Sequence, residues 1–151
     1  SPQTIHIPEG DKVKCIFVLL VSLKQENFDE RNIALLSRLI PQNILLVLEC
    51  GGKDKLAVYY KKLMQTEWKV LDEQRFELTG LDLDAVWQNI IASIGGIHIE
   101  AGRTLDEQLE LNEKKQKLKR EIMKYEKLAR KERQPRRKYE YVQKLKKLQE
   151  K

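Results

Sequence analysis

Residues 43–60 read NILLVLECGGKDKLAVYY, and this stretch decides the fold class. Ile44, Leu45, Leu46, Val47 and Leu48 form an unbroken aliphatic run, the pattern of a strand covered on both faces. Gly51-Gly52 marks a turn. Leu56–Tyr60, apolar and aromatic, reads as the return strand of a hairpin with a loop of several residues. Glu49, Lys53 and Asp54 then fall in or beside that loop and read as solvated polar positions.

Upstream, Val13–Val21 is rich in β-branched and aromatic residues and nearly continuous in apolar character, which predicts another strand covered on both faces. Asn27 stands three residues before Glu30, a capping-box spacing. Phe28, Ile33, Leu36 and Ile40 make a helical stripe that Pro41 ends. Strand, helix and strand together suggest a parallel crossover unit. Downstream, Thr66–Leu71 and the shorter Arg75–Leu78 read as further strands. Leu83, Val86, Trp87, Ile90, Ile91 and Ile94 lie on one face of a helix that Asp82 caps and Gly95-Gly96 ends. The stripe marks Trp87 as core, and Trp68 reads the same way. The sequence therefore predicts an α+β domain over residues 1–100, with a mostly antiparallel sheet of four or five strands and two packed helices.

Beyond Gly102 the composition changes to Lys, Glu, Gln, Leu and Arg, with Pro135 as the sole proline. Thr104 and Glu107 form a capping box, and a helix can run from there to about Glu132. Leu111, Leu118, Ile122, Tyr125 and Ala129 give it a thin apolar stripe. Gln134-Pro135 interrupts, and a second helix from about Arg136 carries Val142, Leu145 and Leu148. Residues 101–151 thus read as a basic helical hairpin, coiled-coil-like in composition.

Charge follows the same division. The 151 residues carry 29 Lys+Arg and 23 Asp+Glu, for a net +6. Residues 1–113 hold 12 basic and 18 acidic side chains, a net −6, and residues 114–151 hold 17 and 5, a net +12. The chain is thus an acidic body with a strongly basic tail, an asymmetry that the total charge hides. Lys127, Arg130, Lys131, Arg133, Arg136, Arg137 and Lys138 cluster around Pro135, so a folded-back hairpin gathers them at one tip. That tip suits phosphates, with Tyr125, Tyr139 and Tyr141 as candidate stacking faces, or an acidic protein surface. The bland alternative is a solvated coiled-coil surface whose long cationic stems cover apolar area.

The order of several short motifs resembles a known family. Ser1-Pro2-Gln3-Thr4-Ile5-His6-Ile7-Pro8 precedes the first strand, and Ile40-Pro41 precedes the second. Lys55-Leu56-Ala57-Val58-Tyr59-Tyr60-Lys61, Thr66-Glu67-Trp68 and Leu81-Asp82-Leu83-Asp84 follow, then Glu132, Gln134, Arg137 and Lys138. Together they resemble the bacterial family called domain of unknown function 4391, over nearly the whole chain. No single motif is specific; the order carries the resemblance. It implies an additional N-terminal segment ahead of the Ser-Pro region, which would make this chain truncated, and it implies no particular activity. Such proteins tend to be encoded beside helicases and DNA methyltransferases of restriction-like defence systems, which implies an accessory role.

Catalytic signatures are weak. Cys15 and Cys50 read as buried thiols, and His6 and His98 lack ligand spacing, so no metal centre and no cofactor is expected. A Cys15–Cys50 disulfide is conceivable between neighbouring strands, but no export signal favours it. Glu49, Lys53 and Asp54 sit near a turn rather than together on one strand, a poor match to a metal-dependent nuclease. Gly51-Gly52-Lys53 is too short for a P-loop, and no nucleophile elbow is found. The longest apolar run, Cys15–Val21, cannot span a membrane, and a cytoplasmic location is expected. The expected function is that of a non-enzymatic scaffold in a prokaryotic DNA-defence assembly. It would dock on helicase or methyltransferase components, or on a second copy of itself. Direct DNA or RNA binding by the hairpin tip is the alternative, and a divergent nuclease a lesser one.

Overall fold

The computed structural model describes residues 6–70 and 77–151. The chain divides into two compact units, Ser1–His98 and Ile99–Lys151.

The first unit is α+β. Its strands are β1 (Phe17–Ser22), β2 (Ile44–Cys50), β3 (Lys53–Tyr60), β4 (Lys62–Gln65) and β5 (Lys69–Val70), with helices α1 (Glu30–Leu39) and α2 (Leu83–Gly95). The sheet runs β1-β2-β3-β4, with β5 also paired to β3. β1 is parallel to β2, as a crossover through α1 requires, and every other pair is antiparallel. The sheet is therefore mixed, with its parallel pair at one edge.

The β2–β3 hairpin is tighter than expected. Gly51 and Gly52 alone form the turn, both with positive φ (56° and 79°), and Cys50 pairs with Lys53. Two left-handed residues in succession suit the twist of a two-residue hairpin, and glycine adopts them without steric cost. The return strand thus begins at Lys53 rather than Leu56. β4 follows after a single residue, Lys61, whose φ of 61° turns the chain back on itself. β5 is the remnant of the strand expected over Thr66–Leu71; Leu71, like Arg75 and Phe76 of the next expected strand, lies outside the described residues.

The two helices lie on opposite faces of the sheet. Ile33 of α1 packs with Ile44, Leu46, Leu48 and Ala57, joined by Phe28, Ile40 and Trp68 at the margin. Val86 and Ile90 of α2 face Leu45, Val47 and Leu56 across an apolar cavity of about 470 Å³. Asp29, not Asn27, caps α1: its carboxylate accepts from the Arg31 backbone N–H and holds the Arg31 guanidinium. The Arg31 side chain draws the Asp29 carboxyl below its usual range. Asp82 caps α2, and Gly96 closes it in the left-handed conformation.

β1 departs most from expectation. Its apolar pattern predicts cover on both faces, yet Phe17, Val18, Leu19 and Leu20 are 50, 65, 36 and 64% exposed. In the described residues β1 is the sheet's edge, paired only with β2, and α1 and α2 pack over the β3 and β4 side. Cys15 lies ahead of β1 and is exposed, whereas Cys50 is buried; both are free thiols.

The second unit is a helical hairpin of α3 (Leu105–Lys131) and α4 (Pro135–Gln149). Thr104 and Glu107 make the expected capping box. At about 1.5 Å per residue, α3 is roughly 40 Å long. Leu111, Leu118, Ile122 and Tyr125 on α3 and Val142, Leu145 and Leu148 on α4 are half-buried, and Ala129 is buried. No residue of α4 is fully buried.

Candidate nucleic-acid interface

The hairpin tip is built by three devices. The Glu132 N–H closes α3 on the Leu128 carbonyl. The Glu132 carboxylate turns back, and its Oε1 accepts from the Arg133 and Gln134 backbone N–H groups, each at 2.9 Å. Pro135 then occupies the first turn of α4, where its fixed φ suits a helix start and its missing N–H costs nothing. The link of residues 132–134 is held rather than slack.

All seven predicted cations surround this link and are exposed. Lys127, Arg130 and Lys131 share one face of the last turns of α3, at i, i+3 and i+4. Arg133 is in the link, and Arg136, Arg137 and Lys138 fill the first turn of α4. Among the described residues only Arg136 lies near a carboxylate, Glu140, at 3.8 Å with both side chains largely exposed. Such a pair adds little. The other six have no ion-pair partner among the described residues.

The start of α4 breaks a local rule. A helix N-terminus carries partial positive charge and favours Asp, Glu or a side-chain cap. α4 has no acidic residue in its first turn, and Gln134 makes no side-chain cap bond. Three cations stand there instead. The nearest negative charge is the Glu132 carboxylate, on the Arg133 and Gln134 N–H groups just ahead of the helix.

Two of the expected stacking faces are occupied. Tyr125 and Tyr141 meet across the hairpin, with ring centroids 6.2 Å apart and planes tilted by 40°. Lys144 and Lys124 lie 5.2 and 5.8 Å from the Tyr125 ring centroid. Tyr139 alone of the three is exposed.

The other candidates fall differently. Glu49 and Asp54 face each other directly across the β2–β3 hairpin, with Lys69 next to Asp54 on β5. Asp54 is 6% exposed, not solvated, and its Oδ1 makes no hydrogen bond among the described residues. The tight turn is the reason: it draws Lys53 and Asp54 into the sheet. Lys53 alternates to the opposite face and pairs with Glu26 at 2.9 Å, so the three side chains do not converge. Among the described residues no group of three His, Cys, Asp or Glu is placed to hold a metal ion.

Two roles escaped the sequence. Asp84 accepts from three successive backbone N–H groups, Asp11 at 2.7 Å, Lys12 at 3.1 Å and Val13 at 2.6 Å. It straps the chain before β1 to the start of α2, and these bonds, Val13 first, hold its carboxyl below the usual range. Gly10 is required beneath it, since a Cβ there would meet the Asp84 carboxyl at 2.3 Å. Lys55, nearly buried on β3, sits between the rings of Trp68 and Phe28, 5.0 and 5.3 Å from their centroids. Only the Leu-Asp-Leu-Asp and Thr-Glu-Trp motifs hinted at these.

A family model described as Domain of unknown function (DUF4391) matches residues 1–151. The chain belongs to the DUF4391 family. No curated protein and no solved structure matches it. In this DUF4391 chain several family-like motifs have structural work: Asp82 and Asp84 fix α2 and the strap, and Trp68 shields Lys55. Among the described residues no helix is long and apolar enough to cross a membrane.

Proposed function

We propose that this DUF4391 protein is a non-enzymatic accessory factor that binds nucleic acid through the tip of its basic hairpin. One observation carries this reading: three cations in the first turn of α4, which has no acidic residue, within an exposed cluster of seven of which, among the described residues, six have no carboxylate ion-pair partner. Arginine and lysine so placed repel one another and the helix dipole. Phosphate oxygens relieve both, and released counterions drive the association. The setting implied by the family resemblance, beside helicases and DNA methyltransferases, offers such a ligand.

The test is fluorescence anisotropy with labelled DNA and RNA across a salt series. The full chain should bind at about 50 mM salt and weaken steeply as salt rises. Reversing Arg133, Arg136, Arg137 and Lys138 to Glu should weaken binding more than tenfold. Equal binding by the reversed protein, or none by the parent at low salt, overturns the reading.

A second reading, protein docking, is favoured by β1. Among the described residues β1 is an edge strand with apolar side chains on both faces and no Lys or Pro to blunt it, which makes it a template for an added strand. The expected partner is a subunit of the same assembly. Leu20→Lys should abolish its capture while leaving nucleic-acid binding intact.

A further inference from the structure

We infer that the hairpin tip takes double-stranded nucleic acid, by its phosphates and without reading bases. The inference rests on the reading of the tip as a nucleic-acid surface, and deepens it by naming the form of the ligand. Single strands are held chiefly by stacking their bases on aromatic faces, with charge tracking a flexible backbone. The tip lacks that equipment. Tyr125 and Tyr141 turn their rings on each other in the seam between the helices, and Lys144 and Lys124 stand over the Tyr125 ring. Tyr139 is exposed, but one ring makes no platform for successive bases.

Base-edge reading is also poorly served. The recognition of base edges uses Asn and Gln amides and bidentate Arg on an element that enters a groove. Gln134 is the only amide side chain in the link and first turn, and the arginines beside it, Arg133, Arg136 and Arg137, suit phosphate oxygens as well as base edges. What remains is an array of cations on a fixed frame. Glu132 ties down the link through two backbone hydrogen bonds, and Pro135 sets the start of α4. A fixed frame that presents its cations in a constant order suits regularly spaced phosphates. A duplex offers them at regular spacing on two strands and at twice the linear charge density, whereas a single strand must first be ordered.

The experiment compares four unmodified ligands of equal length: duplex DNA, duplex RNA, oligo-dT and oligo-U. Full-length protein is used, at matched salt. The duplexes should bind about tenfold or more tighter than the single strands, with little dependence on sequence. Their log–log salt slope should be no steeper than about −6, the limit for seven phosphates neutralised. Tyr139→Ala should leave duplex affinity within about twofold. Equal or tighter binding of oligo-dT or oligo-U, or a large loss in Tyr139→Ala, overturns this inference while the nucleic-acid reading stands. Absence of binding to all four ligands overturns both. DNA and RNA duplexes bound alike support reading by phosphates; a strong preference for one specific sequence overturns it.

Discussion

The two units of this chain hold themselves together by different means. In Ser1–His98 a sheet carries a helix on either face, and Leu46, Leu48, Ala57, Val58, Ile90 and Ile91 are shut off from solvent. Side chains there also bind backbone directly, as Asp84 does to the strap and Thr66 to the Leu56 N–H. In Ile99–Lys151 α3 buries Leu105, Gln108, Leu109 and Ala129 but α4 buries no residue, and the rest of the hairpin relies on a half-buried stripe, a capping box and the Glu132 clasp. Where so little area is buried, few surface positions have a packing duty, and the surface can be given over to charge. The first unit does the reverse and leaves an apolar edge, with Val21 packed against the core and Phe17, Val18 and Leu20 largely exposed.

The contrast can be tested by equal insults to the two units. Ile91→Ala removes a fully buried side chain of α2 and should destabilise the first unit by about 2–5 kcal/mol in urea unfolding. Leu145→Ala, half-buried in the hairpin, should cost clearly less; an equal loss would show that the hairpin seam is a true core. Next in size is Thr104→Ala, which deletes the cap of α3 and should cost about 1 kcal/mol, read from the helical melt by circular dichroism.

Asp84→Asn tests the strap. The Asp84 carboxyl is held below its ordinary value in the folded chain, so its contribution to stability is complete above the unfolded value and fades as pH falls through the folded one. The parent should therefore be the more stable at neutral pH, and the gap should narrow in acid. A gap independent of pH would break the assignment. The smallest effect on stability belongs to Leu20→Lys on β1, within about 0.5 kcal/mol of the parent because the side chain is already exposed. Its aggregation onset by light scattering should rise.

The elements that rest on a long, regular pattern were legible in the sequence. α2 and its caps, the α3 capping box and the hairpin break at Gln134-Pro135 stand where the spacing puts them. So do the first central strand and the parallel crossover, while the return strand starts three residues earlier than its apolar run. What misled was local competition and missing context. Asp29 wins the α1 cap from Asn27 because it can hold both the Arg31 N–H and its guanidinium. Gly51-Gly52 turns in two residues, which buries Asp54. An apolar run states that a strand avoids water, but not whether anything covers it, and β1 was misread for that reason. At the tip, the cations were legible by composition alone. That Tyr125 and Tyr141 face each other was not, since helix phase across a hairpin depends on the length of the link.

The register of β1 bears on how the chain comes together in time. Cys50 meets Lys53 across two glycines, whereas Phe17 meets Ile44 only after α1 has formed and crossed the sheet. Short loops close first, so the β2–β3 hairpin is expected to form early, on the order of microseconds, and β1 to be added after it. Changes in β1 should then hasten unfolding and leave the refolding rate nearly untouched. On the ribosome the order is less kind. Cys15–Val21 emerges before the strand that will receive it has been made, and for that interval it is a segment for a chaperone to hold.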